Sequence, residues 1–217
     1  MTPPANDVSF PGAQVGIADT ASVARKRPQP GERRNQILET LARLLEKPGA
    51  ERITTAVLAA ELGVSEAALY RHFASKAQMF EALIDFIEQS IFGLINQIAE
   101  REAEPHLRAP RILALLLQFA EKNPGMARVM VGDALVLEHE RLQQRINLML
   151  DKIESSLRKH LRQDAESGAS ATPSVDAQVR SSLMLAFAVG RMQRYVRTEF
   201  RRPPTEHLDA CLRQLLM

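Results

Sequence analysis

Hydrophobic residues recur at steps of three and four from residue 33 onward, which is the spacing of an amphipathic helix. The longest stripe predicts a helix of about 25 residues that begins after Ser75 and ends before Pro105. Later stripes predict long helices over 135–161 and 174–200, and Thr205 can cap a last helix. No alternating pattern typical of strands is present. The chain is therefore predicted to be all-α, with about nine helices.

The first 30 residues lack this periodicity and contain five of the twelve prolines. Such a segment buries too little apolar surface to offset the entropy of ordering, so we predict a disordered tail over 1–30. The polar stretch over 163–173 is predicted to be a loop between two long helices.

The net charge is small but unevenly distributed. The 217 residues contain 28 Lys and Arg and 26 Asp and Glu, for a formal net charge of +2. Residues 25–76 carry ten basic and six acidic side chains, whereas residues 77–217 carry eighteen of each sign. A local positive excess attracts a polyanion, although an excess of this size also occurs on ordinary surfaces. The positive excess over 25–76 therefore indicates a nucleic-acid partner only if a binding motif lies in the same segment.

Cysteine usage and the N-terminal residues indicate a compartment. The one cysteine, Cys211, excludes an intramolecular disulfide and favours a reducing environment. The start Met1-Thr2-Pro3-Pro4 lacks the features of a signal peptide. No apolar run approaches the ~20 residues of a membrane span. We therefore expect a cytoplasmic protein without a membrane span.

Residues 55–73 have the features of a helix-turn-helix. Ala59 leaves room where two helices cross, Gly63 tolerates the positive φ of a tight turn, and Ser65 can cap the second helix. Leu69 contributes to a small shared core. An ordinary αα-hairpin meets most of these requirements, so the case for DNA binding depends on the exposed face of the second helix.

That face carries side chains suited to base edges and phosphates. Arg71 can donate two hydrogen bonds to guanine, and Glu66 can accept one from cytosine. His72 and Lys76 suit phosphate oxygens, with a packed histidine and a solvated lysine as the alternatives. The predicted DNA contacts are Arg33, Arg34, Arg52, Thr54, Thr55, Ser65, Glu66, Ala67, Ala68, Tyr70, Arg71, His72 and Lys76.

Two apolar stripes near the C-terminal end predict a surface for self-association. Two helices from each protomer can form an isologous four-helix bundle. A two-fold arrangement places two recognition helices about one DNA turn, ~34 Å, apart, which matches a palindrome. The alternative is a helix pair that completes the core of a monomer. The predicted dimer residues are Leu183, Phe187, Gly190, Met192, Leu208, Leu212 and Leu215.

The chain is thus predicted to contain a helix-turn-helix DNA-binding domain over 31–78 and a regulatory and dimerisation domain over 79–217. The sequence predicts no enzyme, cofactor or metal site, because glycine-rich phosphate loops are absent and the five histidines are scattered. A ligand-responsive repressor with an internal pocket is the alternative function. The polar residues that could line such a pocket, or lie on the surface instead, are Gln118, His139 and Gln193.

The stretch 54–83 resembles the N-terminal signature of the TetR family, with the core Leu69-Tyr70-x-His72-Phe73-x-Ser75-Lys76. Over residues 33–217 the chain is similar to the branch of that family that acts in nucleoid occlusion. The similarity includes Leu142-Gln143-x-Arg145-Ile146-Asn147 and Phe187-x-x-Gly190-Arg191-Met192. The tail and the 163–173 loop lie outside it.

The resemblance implies a nine-helix homodimer, or a higher-order assembly on DNA, that binds palindromic double-stranded sites in the nucleoid. It also implies that the DNA-bound protein contacts the division GTPase FtsZ and disrupts its polymers. Leu94 and Leu116 also fit the apolar stripes, so core packing is the alternative for both, whereas Phe86 lies off the main stripe. The partner residues implied, on the fourth and fifth helices and the loop after them, are Phe86, Leu94, Leu116, Glu121, Lys122 and Asn123.

Overall fold

The computed structural model describes residues 32–47, 53–168 and 170–215, and within them the chain forms nine α-helices and no strand. This confirms the all-α prediction. The helices are α1 (Glu32–Leu45), α2 (Thr55–Leu62), α3 (Glu66–Tyr70), α4 (Lys76–Arg101), α5 (Pro105–Lys122), α6 (Pro124–Met130), α7 (Glu140–Ser167), α8 (Pro173–Arg197) and α9 (Leu208–Leu215). A 3₁₀ turn over Asp133–Leu135 lies between α6 and α7. None of the described helices is long and apolar enough to cross a membrane. The predicted tail over 1–30 lies outside the described residues.

The boundaries of α7 differ from the prediction at both ends. The helix begins at Glu140 rather than at residue 135, and it continues to Ser167, beyond the end of its apolar stripe. The last turns are polar, and the ion pair between Arg162 and Glu166, one turn apart, stabilises them. Hydrophobic periodicity does not predict such polar turns. Within the predicted loop over 163–173, residues 163–167 are therefore helical, and α8 begins at Pro173.

The end of α8 and the start of α9 also differ from the prediction. α8 ends at Arg197 rather than at Phe200, because Glu199 and Phe200 have φ values of 51° and 63°. His207, with φ 55°, precedes α9, which starts at Leu208 instead of following Thr205 directly. The Phe200 ring packs edge-on against a core tyrosine with ring centroids 5.1 Å apart, so tertiary packing stabilises the left-handed turn.

The first three helices form the predicted helix-turn-helix unit. At the start of α2 the Thr54 hydroxyl accepts a hydrogen bond from the Val57 N–H, and at the start of α3 the Ser65 hydroxyl accepts one from Ala68. Between them Gly63 adopts φ 64° and ψ 37°, a conformation that favours glycine. The buried residues at the centre of the unit are Ile37, Leu41, Leu58, Leu69 and Phe73.

Helices α4, α5, α7 and α8 enclose an apolar interior. None of the following residues at its centre is more than 1% exposed: Ile87, Ile91, Ile112, Leu113, Leu117, Met149, Ile153, Leu157, Met184 and Ala188. At its edge, ion pairs join α4 to α7. These pairs are Glu81–Arg141, Asp85–Arg145 and Glu88–Lys152.

The helix-turn-helix unit is joined to the larger domain where α6 packs on α1. Gly125 approaches α1 so closely that a Cβ at this position would lie 1.9 Å from the carbonyl oxygen of Ala42. Beside it, the buried guanidinium of Arg128 donates from Nη1 to the carbonyl oxygen of Lys47 at 3.4 Å. Its Nε lies 3.5 Å from a carboxylate oxygen of Asp133. The junction is therefore a backbone contact reinforced by one buried cation.

We expect Gly125→Ala to lower the free energy of unfolding by about 1–3 kcal/mol, because the added methyl group overlaps the backbone of α1. Gly93→Ala is the control, since a Cβ there meets no described atom within 4 Å. Gly93 lies in the interior of α4, so the control should gain about 0.5–1 kcal/mol, whereas Gly125 lies in the first turn of α6. Urea unfolding measures both, and equal stabilisation of the two variants would refute the close contact.

Candidate nucleic-acid interface

The second helix of the motif, α3, presents a short polar face. Burial of Leu69 on one side leaves Glu66, Ala67, Tyr70 and Arg71 exposed on the other, as predicted from the sequence, and leaves Ala68 half-buried. The Arg71 guanidinium forms no hydrogen bond or ion pair with any residue in the described part of the chain. It is therefore free to donate to a ligand.

Side chains of α2 and α3 are already connected to each other on this face. The Thr55 hydroxyl donates to a carboxylate oxygen of Glu66 at 2.5 Å, and the Tyr70 hydroxyl donates to the Thr55 oxygen at 3.5 Å. One Glu66 oxygen is thus occupied, while the other can still accept a hydrogen bond from a base. The network fixes the orientation of α3 relative to the start of α2.

Arg34 has a different position from the one predicted. Its Nη1 donates to the carbonyl oxygen of His72 at 2.8 Å, and its Cζ lies 4.0 Å from the centre of the Phe73 ring. The guanidinium therefore satisfies a carbonyl group just after α3. This contact attaches the end of the recognition helix to α1, and it makes Arg34 a structural residue of the motif rather than a free phosphate ligand.

The other predicted DNA contacts differ in whether their side chains are exposed or already hydrogen-bonded within the fold. Arg33 donates to Gln36 on the same helix, and the His72 side chain is exposed. Thr54 and Ser65 use their hydroxyl oxygens as helix caps. Arg52 lies outside the described residues.

Lys76, the first residue of α4, is paired rather than free. Its ammonium contacts the carboxylate of Glu138, which lies in the segment between α6 and α7, and it lies 5.7 Å from the centre of the Phe80 ring. The Glu138 side chain is only 12% exposed. Sequence reasoning missed this pairing because 62 residues separate the two partners.

The residues implied as partner contacts divide into exposed and internal ones. Phe86 is 49% exposed on α4 and lies off the buried stripe, as predicted. Leu94 is half-buried, whereas Leu116 is 1% exposed and belongs to the core, so Leu116 cannot contact a partner at this surface. Leu116, predicted as a partner contact, is buried because its side chain packs inside the four-helix interior.

Glu121 and Lys122, predicted to lie in a loop, are instead the last two residues of α5, and Asn123 follows them. The Glu121 carboxylate accepts a hydrogen bond from Thr205, and its carbonyl oxygen accepts one from the Tyr195 hydroxyl at 3.2 Å. Burial raises the pKa of Tyr195, so the phenol remains a donor at neutral pH. The Asn123 side chain donates to the Phe119 carbonyl oxygen, and Lys122 is exposed.

The predicted dimer residues form one exposed face and several supporting positions. Leu183 and Gly190 are exposed on α8, and Phe187 is half-buried. Met192 is 1% exposed and Leu208 is also buried, so these two support the helices from within the protomer. Leu212 and Leu215 on α9 are half-buried. Val175, Val179 and Leu183 follow one another at steps of four residues, which places all three on one face of α8. Sequence reasoning missed the two valines.

The polar residues that could have lined an internal ligand pocket lie on the surface instead. Gln118, His139 and Gln193 are all exposed, and the His139 side chain caps α7. Two cavities of about 510 and 590 Å³ are open surface grooves with charged linings, one between α4 and α7 and the other between α7 and α8. Across the described ranges, no group of three or more His, Cys, Asp or Glu side chains could hold a metal ion.

Comparison with known proteins adds independent findings. Residues 37–83 match the family model described as bacterial regulatory proteins, tetR family, and residues 104–216 match the SlmA-like model described as tetracyclin repressor-like, C-terminal domain. The nucleoid occlusion factor SlmA of Shewanella sediminis is 50% identical over 177 residues, or 82% of this chain and 89% of that protein. The protein of the same name from Idiomarina loihiensis is 50% identical over 182 residues, or 84% and 92%.

Solved structures agree with the fold. The fatty acid degradation regulator FadR of Bacillus halodurans has a TM-score of 0.72 at 16% identity, covering 88% of this chain and 97% of that one. The fold and the helix-turn-helix therefore define a DNA-binding regulator of the TetR type. Within that class, the chain belongs to the family of the nucleoid occlusion factor SlmA.

Proposed function

We propose that this protein is a nucleoid occlusion factor, a sequence-specific DNA-binding homodimer of the cytoplasm that inhibits FtsZ assembly while it is bound to palindromic sites on the chromosome. The observation that carries the proposal is the extent of the similarity. Identity of about half the residues spans both the DNA-binding unit and the C-terminal domain of the SlmA relatives. A regulator that shared only the DNA-binding unit with the SlmA relatives would not be similar to them over the C-terminal domain.

The DNA-binding part of the proposal depends on the face of α3. Arg71 is exposed and has no partner among the described residues, so it can donate to guanine O6 and N7 in the major groove. Ala67 allows close approach of the helix to the bases, and the Thr55 end of α2 directs N–H groups toward a phosphate.

We expect Arg71→Ala to remove sequence discrimination. Binding to a duplex selected by the wild-type protein from a random library should weaken by about 1–3 kcal/mol, and binding to random duplexes should weaken much less. Arg43→Ala removes the same charge from α1, where Arg43 pairs with Glu61, and is the control. Fluorescence anisotropy measures both duplexes. Equal losses on both would contradict a base contact by Arg71.

The dimer is proposed to form through α8 and α9. Val175, Val179 and Leu183 are all more than half exposed, which is unusual for three aliphatic side chains on one helix face. Gly190 continues that face, and a Cβ there would meet no atom of the described residues within 4 Å. A second copy that covers this face buries the stripe and places two α3 helices on one palindrome.

We expect Leu183→Glu to give a monomer, because a carboxylate in a buried apolar interface is strongly unfavourable. Leu148→Glu on α7 is a matched control, since the exposed fraction of Leu148 is 56% and that of Leu183 is 55%. Sedimentation velocity gives the mass of each variant. A dimeric Leu183→Glu protein, or a monomeric Leu148→Glu protein, would place the interface elsewhere.

The contact with FtsZ is proposed to include Phe86. A half-exposed phenylalanine on a long rigid helix provides an apolar anchor that needs no rearrangement to reach a partner. The proposed surface also includes the half-buried Leu94 on α4, and Lys122 and Asn123 at the end of α5.

The decisive experiment is sedimentation of FtsZ polymers formed with GTP, in the presence of this protein and with or without the selected duplex. We expect polymer mass to fall only when protein and duplex are both present. Phe86→Ala should abolish the effect and keep DNA affinity, whereas Leu148→Ala, which removes an exposed side chain from α7, should leave it unchanged. Polymer that persists with wild-type protein and duplex would refute the proposed activity.

A further inference from the structure

The ion pair between Lys76 and Glu138 connects the DNA-binding end of α4 to the C-terminal domain. Lys76 begins α4 immediately after the Ser75 cap, at the helix end nearest the recognition helix. Glu138 belongs to the segment over 131–139, which leads from α6 to α7. The lysine side chain is 28% exposed and the glutamate side chain 12%, so the pair is partly shielded from solvent.

The Lys76–Glu138 pair differs from the ion pairs between α4 and α7 in which element carries the carboxylate. In the ion pairs farther along, α4 contributes the carboxylates and α7 the cations, as in Glu81–Arg141 and Asp85–Arg145. In the Lys76–Glu138 pair the polarity is reversed, and the carboxylate comes from a non-helical segment. The other pairs hold α7 on α4 without it, so neutralising Glu138 leaves the helix packing intact.

We propose that Glu138 is an inhibitory contact that competes with a DNA phosphate for Lys76. A lysine ammonium shared between a carboxylate and a phosphate leaves one excess negative charge in the site, so the two anions exclude each other. This inference rests on the proposed DNA interface, because it assigns Lys76 to a phosphate in the bound state.

The segment that carries Glu138 is suited to release. Val136 and Leu137, directly before it, are 77% and 62% exposed, and the Glu138 N–H is held by a single turn hydrogen bond to the Leu135 carbonyl oxygen. Ala134 and Leu135, which are buried, lie in the preceding 3₁₀ turn, so residues 136–138 can open locally while that turn stays packed. Because linkage is reciprocal, a contact that weakens DNA binding is itself weakened when DNA binds, so DNA frees this part of the C-terminal domain.

The test compares Glu138→Gln with Glu140→Gln. Both variants remove one negative charge from the same part of the chain, but among the described residues the Glu140 carboxylate accepts a hydrogen bond from Gln144 alone. We expect Glu138→Gln to bind random and selected duplexes about three- to tenfold more tightly than wild type, and Glu140→Gln to stay within about twofold. In a Lys76→Ala background the Glu138→Gln change should have no further effect.

Hydrogen exchange provides the second measurement. Backbone amides over 136–139 should exchange faster when wild-type protein is bound to DNA, and their exchange in Glu138→Gln should be fast with or without DNA. Equal effects of the two glutamine variants on affinity would overturn the proposal, as would weaker binding by Glu138→Gln, which would show that Glu138 positions Lys76 for DNA. Wild-type protein that binds neither duplex would instead overturn the DNA interface itself.

Discussion

The contact between α6 and α1 is the constraint on which the arrangement of the whole protein depends. Gly125 touches the backbone of α1 at Ala42, so no side chain is available there to absorb a displacement. At the other end of α1, Arg34 holds the carbonyl group after the recognition helix. The orientation of α3 relative to the C-terminal domain is therefore transmitted through one short helix with a fixed contact at each end.

A second connection runs through α4. Its 26 residues extend for about 39 Å from the proposed phosphate contact at Lys76 past the exposed ring of Phe86. Because α4 also contributes its buried stripe to the four-helix interior, it cannot move independently of that interior. The proposed DNA and FtsZ surfaces thus share one rigid element, whereas the turn that carries Glu138, with Val136 and Leu137 exposed, lies outside that helix.

Much of the architecture was predictable because its signals are local. The caps at Thr54 and Ser65 and the left-handed Gly63 act within a few residues, and helical periodicity identified the interior stripe correctly. The polar last turns of α7 escaped prediction because they carry no apolar stripe. The end of α8 escaped because positive φ at Glu199 and Phe200 depends on packing of the Phe200 ring against Tyr195.

By itself the sequence determined the helical class, the helix-turn-helix and the side chains of the recognition face, because each depends on residue types at short spacings. Only the tertiary structure decided which of the cations proposed to bind DNA already have partners within the fold. The sequence predicted Arg34, Lys76 and Arg71 all as DNA contacts. Partners 38 and 62 residues away engage the first two and leave Arg71 unpaired among the described residues. Charge is a property of the residue, whereas availability of that charge depends on distant groups that folding brings within hydrogen-bond distance.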